Sequence, residues 1–213
     1  MLDFKGVIFD MDGTILDSMG IWDEIDIEFL GKRGIDLPDD YMHEIAHRSA
    51  YDSAVYTIDR FNLSDTPEEL VNEWIDMAVS KYANIQLKKG AKQYIHYLKD
   101  NGIKIALATA SEMPIIRAGI EKEGLLPLID AITIVSEVPR GKGFPDIYIE
   151  CARRLGLQKE DCIVFEDLPR AVKGSVSGGF KTIGVYDKYS EDAKEEIMSI
   201  ADGYIYDFTQ MIK

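Results

Sequence analysis

Three bulky apolar residues lead directly into two carboxylates and a glycine in the sequence Val7-Ile8-Phe9-Asp10-Met11-Asp12-Gly13-Thr14. The apolar run is typical of a buried strand, and the polar residues after it indicate that the strand ends at a chemical site. Residues i and i+2 of a strand point to the same side about 6.6 Å apart, so the two aspartates would flank one pocket with room for a small tetrahedral group. Gly13 permits a sharp exit, and Thr14 can bond the local backbone. The alternative is a strand that ends in a solvated acidic turn, and this segment alone does not separate the two.

Length and composition are those of an ordinary folded domain with an excess of acidic residues. The chain has 213 residues, of which 46% are hydrophobic and 29% charged, with a formal net charge of −14; this suits one domain or one domain with a modest insertion. No basic cluster stands out, so nucleic acid is not an expected partner. Cys151 and Cys162 have apolar neighbours and are predicted to be small core residues without a disulfide. No apolar run approaches the roughly 18 residues that span a bilayer, so we expect a cytoplasmic protein with no membrane partner.

A long helical region follows the first strand. Between residues 17 and 84 apolar residues recur at the helical period, and no strand pattern is found. The clearest helix start is Thr66-Pro67-Glu68-Glu69, which has a capping hydroxyl, a proline at the first helical position and acids in the first turn. So much helix exceeds a normal crossover connection. We therefore interpret the region as an inserted helical subdomain.

From Gly90 onward, predicted helices and strands alternate. We predict strands at residues 103–108, 131–135, 162–165, 181–185 and 203–206. Continuous apolar strands in such an alternation are typical of a parallel sheet that is covered by helices on both faces. The predicted fold class is therefore α/β, with an all-helical subdomain inserted after the first strand.

Polar residues follow most of the predicted strands at their carboxyl ends, where an open parallel sheet binds its ligands. In chain order they are Asp10 and Asp12, Thr109 and Ser111, Ser136 with Glu137 and Lys142, and Glu166 with Asp167. Each has an ordinary alternative: a helix cap for the hydroxyls, a solvated glycine-rich loop for the lysine and an acidic loop for the last pair. Together they are harder to dismiss, because clustered carboxylates repel one another unless a cation intervenes. Oxygen ligands favour a hard divalent ion, and Mg²⁺ is the predicted cofactor.

This set of residues predicts phosphoryl-transfer chemistry. A carboxylate can attack phosphorus and form an aspartyl-phosphate, and Asp10 is the candidate because it stands at the strand end. Mg²⁺ and Lys142 would offset the charge of the two anions, and Thr109 would hold a phosphoryl oxygen. Asp12 would protonate the leaving oxygen and later take a proton from the attacking water.

The same residues resemble the motifs of the haloacid dehalogenase superfamily of phosphohydrolases. Asp10-Met11-Asp12-Gly13-Thr14 matches the first motif, Thr109 the second, Lys142 the third and Glu166-Asp167 the fourth, in order along the chain. Pro145-Asp146-Ile147-Tyr148 resembles the Pro-Asp-X-aromatic sequence that follows the third motif. The helical insertion after the first motif is similar to the cap of the subfamily that contains beta-phosphoglucomutase and phosphoglycolate phosphatase.

The resemblance implies a Rossmann-like core of residues 1–15 and 86–213 and a mobile helical cap of residues 16–85. It also implies that Asp10 is the nucleophile and Asp12 the general acid and base. The implied phosphate-binding residues are Thr109, Ala110 and Lys142, and the implied Mg²⁺ ligands are Asp10, Asp12 through its backbone carbonyl, Asp167 and, as an assisting group, Glu166. The second aspartate of the first motif argues against true dehalogenase chemistry, because that branch lacks it.

Four residues of the insertion are candidates for contacting the leaving group of a substrate, namely Ser18, Trp22, Arg48 and Tyr51. Beta-phosphoglucomutases carry a histidine where this chain has Trp22, and their phosphate-binding cap arginine is not clearly matched, since Arg48 is out of register. These departures favour a phosphatase over a mutase. Trp22 also fits the apolar stripe of a helix, for which core packing is the preferred interpretation. The three histidines, His43, His47 and His96, lack metal-ligand partners at useful spacing and are interpreted as surface or packing residues.

The leading hypothesis is a Mg²⁺-dependent phosphatase of a small phosphorylated metabolite, with sugar phosphates as one candidate class. Two alternatives stay open: an intramolecular phosphomutase of hexose phosphates, and a non-catalytic protein that binds a phosphometabolite on the same scaffold. The intact catalytic set argues against the non-catalytic protein. Because a cap would set specificity, the sequence predicts a reaction class and not a substrate. A monomer is expected, although the sequence leaves the oligomeric state open.

Overall fold

A parallel sheet of six strands forms the centre of the protein, in the order β3-β2-β1-β4-β5-β6. The computed structural model describes residues 3–45 and 48–212, apart from the side chain of His43. The strands are β1 (Gly6–Phe9), β2 (Lys104–Thr109), β3 (Ala131–Ile134), β4 (Cys162–Glu166), β5 (Lys181–Val185) and β6 (Gly203–Ile205). The predicted strands are all present, and the predicted α/β class is confirmed.

β1 is the central strand because it is apolar on both faces. Val7, Ile8 and Phe9 are fully buried, and Ile8 packs in a different hydrophobic cluster from the other two. Phe9 lies opposite Leu107 of β2 on one side and opposite Phe165 of β4 on the other. Strands are added on both sides of β1, so the strand order reverses there. The carboxyl end of β1 is therefore the expected ligand crevice.

Among the described residues, four helices follow β1 and form the predicted helical insertion. They are α1 (Met19–Lys32), α2 (Tyr41–Ile45), α3 (Ala50–Phe61) and α4 (Pro67–Tyr82). The predicted start of α4 is confirmed as a capping box: the Thr66 hydroxyl accepts from the Glu69 amide, and the Glu69 carboxylate accepts from the Thr66 amide. Ala46 and His47, which follow α2 in the sequence, lie outside the described residues.

Five further helices of the described residues belong to the sheet part of the fold, namely α5 (Ala91–Asp100), α6 (Met113–Ile120), α7 (Asp146–Leu155), α8 (Pro169–Ser177) and α9 (Lys194–Ile200). After α6 ends at Ile120, the chain turns into Gly124, whose φ is 71°. Residues 188–193 form a 3-10 helix directly before α9. Cys151 and Cys162 are buried and unbridged, as predicted. Among the described helices, none has the length and apolar content to cross a membrane.

Candidate active site

Asp10 lies one residue beyond β1, and its carboxylate is buried. Its backbone amide still donates to the Phe165 carbonyl oxygen at 3.0 Å, which keeps it in register with β4. The Lys142 ammonium contacts Asp10 Oδ1, and the Thr14 hydroxyl donates to Oδ2 at 3.0 Å. The expected backbone bond of Thr14 is thus replaced by a bond to a carboxylate. Both oxygens of Asp10 are held by donors, which fixes the orientation of the group.

Lys142 reaches the site from the loop before α7 and contacts two acids at once. Its ammonium lies 2.6 Å from Glu166 Oε1, in addition to its contact with Asp10. The Tyr148 hydroxyl donates to the same Glu166 oxygen at 2.8 Å. Burial disfavours a charged lysine, but Asp10 and Glu166 outweigh it and raise the Lys142 pKa above its ordinary value. Lys142 is therefore a fixed cation at the carboxyl edge of β1 and β4.

Two glycines allow the loops of this site to approach one another. A Cβ at Gly174 of α8 would lie 2.1 Å from the Lys142 carbonyl oxygen, so only glycine lets the lysine loop pass there. A Cβ at Gly13 would lie 2.1 Å from Asp167 Oδ2, and Gly13 has a φ of 79°. Glycine adopts this left-handed conformation without a steric penalty. Gly13 therefore serves both the sharp turn and the close approach of Asp167.

Three buried carboxylates lie close enough to share one metal ion. Asp10, Glu166 and Asp167 each offer an oxygen within 4.8 Å of the others. Glu166 Oε2 and Asp167 Oδ2 are buried without a hydrogen-bond partner among the described residues. Burial raises the pKa of Glu166 to about 7, and it raises the pKa of Asp167 as well, with the Asp10 charge as a further cause. Unpaired buried oxygens are costly, and a hard divalent cation is the partner that such a set of oxygen donors fits.

Asp12 has different surroundings, although it is only two residues from Asp10. Its Oδ1 accepts hydrogen bonds from Ser18 Oγ at 2.7 Å and from the Tyr82 hydroxyl, and its Oδ2 accepts from Ser111 Oγ at 2.7 Å. Burial and then the Asp10 charge raise the pKa of Asp12, while the three hydroxyls act in the opposite direction. The neutral, protonated form is thus more accessible for Asp12 than for an exposed aspartate.

Thr109 and Ala110 follow the neighbouring strand. Leu107 pairs with Phe9, so Thr109 stands level with Met11. The Thr109 side chain is buried, and its oxygen accepts from the Ser111 amide at 3.0 Å. This is a turn contact and not the helix cap that the sequence also allowed, because α6 has Glu112 at its N-cap and no side-chain cap bond. Because the Thr109 hydroxyl is the acceptor in its bond with Ser111, its proton stays available to another group. Ala110 is exposed at the edge of the site.

The structure separates the four candidates of the insertion into two pairs. Ser18 bonds Asp12, and the half-buried Trp22 packs its ring edge against Tyr82 with centroids 6.4 Å apart. Arg48 and Tyr51 instead line a cleft of about 520 Å³, with Ala110 and Ser136 on the opposite wall. The Arg48 Nε donates to the Glu44 carbonyl oxygen at 2.8 Å.

Of the three histidines, His96 is exposed, while His47 and the His43 side chain lie outside the described residues.

Comparison with known proteins identifies the family. The sequence model of the haloacid dehalogenase-like hydrolases matches residues 4–174. The chain belongs to this family. It is 29% identical to hexitol phosphatase A of Escherichia coli (strain K12) over 182 residues, which are 85% of this chain and 82% of that protein. It is also 29% identical to the bifunctional riboflavin kinase/FMN phosphatase of Arabidopsis thaliana, of which it spans only 48%.

A solved structure extends the comparison to the whole fold. The beta-phosphoglucomutase of Clostridium difficile superposes with a TM-score of 0.78 at 21% identity, over 99% of this chain and 93% of that one. At this level of identity the likeness is one of fold. The expected resemblance to the members of the haloacid dehalogenase family that carry a helical insertion is thereby confirmed.

Two tyrosines of the site make polar contacts that were not predicted. Tyr82 of α4 bonds Asp12, and Tyr148, the aromatic residue of the Pro-Asp-X-aromatic sequence, bonds Glu166, although both are buried like core residues. The available signal was chemical. A buried tyrosine hydroxyl usually finds a partner, so a tyrosine at such a position indicates a polar group nearby.

Proposed function

We propose that the protein is a phosphatase that hydrolyses a small phosphorylated metabolite through an aspartyl-phosphate on Asp10. The observation that carries the proposal is the position of this carboxylate, which lies at the end of the central strand between a fixed cation and two acids with unpaired oxygens. A relationship to a hexitol phosphatase over 85% of the chain supports the same reaction class.

In the first step, an Asp10 oxygen forms a bond to phosphorus while the bond from phosphorus to the ester oxygen breaks. Thr14 and Lys142 hold the two oxygens of Asp10 in place, which orients the carboxylate for attack on phosphorus. The leaving oxygen takes a proton from Asp12. In the second step, Asp12 takes a proton from water as the water attacks phosphorus, and Asp10 is released together with inorganic phosphate.

The phosphoryl group of the substrate would be bound by Lys142, Thr109 and the exposed edge at Ala110. The Thr109 hydroxyl retains a proton to donate, and Lys142 supplies a charge-assisted hydrogen bond. Mg²⁺ would be held by Asp10 and Asp167, with Glu166 assisting and the Asp12 backbone carbonyl as a further ligand. When bound, the ion offsets negative charge on the phosphoryl oxygens.

The helical insertion is proposed to act as a cap, formed by residues 16–85 over a core of residues 1–15 and 86–213. The cleft that contains Arg48 and Tyr51 is lined from both sides, which supports a substrate entrance there. Ser18 and Trp22 would contact the leaving group nearer to Asp12, and Arg48 and Tyr51 would contact it nearer to the entrance. Small metabolites fit a cleft of about 520 Å³.

The test is phosphate release from p-nitrophenyl phosphate and from a panel of sugar and hexitol phosphates, with Mg²⁺, by the full chain and by Asp10→Asn. We expect release by the wild type and none by the variant. Equal release by both would overturn the role of Asp10. No release from any substrate would favour a binding protein, and isomerisation of a hexose phosphate without net release would favour a mutase.

A further inference from the structure

The carboxylate of Asp12 is contacted from both connections between the sheet and the helical insertion. Ser18 immediately precedes α1 on the outgoing connection, and Tyr82 is the last residue of α4 on the return. Both hydroxyls donate to the same oxygen, Asp12 Oδ1. The third donor, Ser111, follows β2 and belongs to the sheet side. Two of the three bonds to this carboxylate therefore depend on where the insertion sits.

The Tyr82 ring occupies a narrow space between the insertion and the sheet unit. On one side lies the edge of Trp22 from α1, with ring planes at 62° to each other. On the other side lies Gly119 of α6, where an added Cβ would come within 3.2 Å of Tyr82 Cδ1 and 2.8 Å of Leu16 Cδ1. The hydroxyl at the far end of the ring reaches Asp12. The end of α4 is thereby fixed relative to both α1 and α6.

Packing alone does not require a hydroxyl at this position. The buried ring of Tyr94 in α5 has a hydroxyl that finds no hydrogen-bond partner among the described residues. The ring of a tyrosine can therefore fill a core position of this protein without using its polar end. Tyr82 differs in that its hydroxyl donates to one acceptor among the described residues, and that acceptor is the carboxylate that we place as acid and base.

We propose that Tyr82 is a positioning residue that holds Asp12 in line for proton transfer and makes this alignment depend on the packing of α4 against α6. The proposal rests on the proposed function of Asp12. When the end of α4 moves away from α6, Asp12 loses one of the two donors on Oδ1. Proton donation to the leaving oxygen then becomes less well aligned, whereas the attack of Asp10 on phosphorus is unaffected.

Two aryl phosphates separate these effects. The leaving group of p-nitrophenyl phosphate is an acidic phenol that departs without a proton, whereas that of phenyl phosphate needs one more strongly. Rates are measured in single turnovers, with enzyme in excess, so that only the first step is observed. For Tyr82→Phe we expect the phenol release rate to fall about five- to tenfold, the size of one hydrogen bond. The p-nitrophenolate release rate should stay within about twofold, which is well below the effect of one hydrogen bond.

Tyr94→Phe is the matched control, because it removes a buried hydroxyl that has no partner, and it should leave both rates unchanged. An equal fall of both rates in Tyr82→Phe would indicate a merely structural role and overturn the proposal, as would no change in either. If the wild type released neither phenol, or if Asp10→Asn released both, the proposed function itself would fail. That outcome is recognised without the Tyr82 variant.

Discussion

Asp10 and Asp12 are two residues apart, and the structure gives their carboxylates opposite surroundings. Asp10 contacts the Lys142 ammonium and lies beside two further acids. Asp12 accepts hydrogen bonds only from neutral hydroxyls among the described residues. Burial and then the Asp10 charge raise the pKa of Asp12, and no cation among the described residues pairs with its carboxylate. Two carboxylates with such different environments can serve as nucleophile and as proton donor in one site.

The difference follows from the two parts of the fold. The partners of Asp10 are Thr14 of the first motif and Lys142 at the carboxyl edge of the sheet. The loop that carries Lys142 can pass close to α8 because residue 174 is a glycine. Two of the three partners of Asp12 come from the connections to the helical insertion. The sheet edge therefore fixes the orientation of the Asp10 carboxylate, and the insertion helps to position the Asp12 carboxylate.

The largest effect is expected from Asp10→Asn, which removes the nucleophile and leaves the Asp12 surroundings intact. An amide does not form the acyl-phosphate, so phosphate release should fall about 10⁴-fold or more. Asp17→Asn, at an exposed position nearby, is the control and should keep full activity. Residual activity within about tenfold of wild type would remove the distinction between the two aspartates.

Lys142→Met should damage both catalysis and stability. The activity should fall about 10²- to 10³-fold through loss of charge stabilisation. The free energy of unfolding should fall by about 3 to 5 kcal/mol, because Asp10 and Glu166 lose their buried cation.

The matched control for this lysine is Lys99→Met. Lys99 pairs with Asp130 near the surface, so its loss should cost no more than about 1 kcal/mol. Denaturant unfolding measures both variants. Equal losses of stability would show that the cation beside Asp10 is no more important than a surface ion pair.

Asp26 of α1 is a third buried aspartate to set beside Asp10 and Asp12. Among the described side chains, neither a cation nor a hydroxyl contacts its carboxylate. Burial raises its pKa to about 7. In the unfolded chain it ionises near pH 4, so the folded state holds a proton that the unfolded state has lost. Wild-type stability should therefore decrease as the pH rises from about 4 to about 7. Asp26→Asn removes this penalty and should gain about 2 to 4 kcal/mol above pH 7 and nothing below pH 4. A gain that does not depend on pH would contradict this explanation.

Mg²⁺ should stabilise the folded protein through the carboxylates of Asp10 and its two acidic neighbours and not through the Asp12 carboxylate. At about 100 times its Kd the ion should add about 2 to 3 kcal/mol, measured as a rise in Tm. Asp167→Asn should reduce this rise, because it removes one of the two unpaired carboxylate oxygens. Asp202→Asn, a carboxylate that bonds the Thr182 amide on β5, should leave it unchanged. An equal rise in Tm for Asp167→Asn would exclude this residue as a ligand.

The sheet and its acidic edge could be predicted because the evidence is local. Continuous apolar runs end at Phe9 and at Phe165, and parallel strands bring their carboxyl ends to one edge. Glu166 and Asp167 therefore had to lie near Asp10 once the strands were recognised. Lys142 was predicted because it follows the third strand of the predicted sheet, and its match to the third family motif agreed with this.

The contacts that depend on tertiary packing could not be predicted. Tyr82 bonds a carboxylate 70 residues away, and its place in α4 has the period of a core residue. The buried pair of Lys88 and Asp187 joins residues 99 apart, and nothing in the sequence near either residue indicates the other. Asp187 also accepts from the Tyr189 amide, which explains why a 3-10 helix precedes α9. Periodicity identifies which side chains are buried but not which polar atoms they meet.

The most direct measurement is mass spectrometry of the protein after acid quenching of a reaction with excess substrate and Mg²⁺. A phosphoryl group should be found on the peptide that contains Asp10. With p-nitrophenyl phosphate as the substrate, whose leaving group needs no proton from Asp12, it should accumulate in Asp12→Asn, where hydrolysis of the intermediate lacks its base. Turnover with no phosphoryl group on that peptide in either protein would contradict the assignment of Asp10 as the nucleophile.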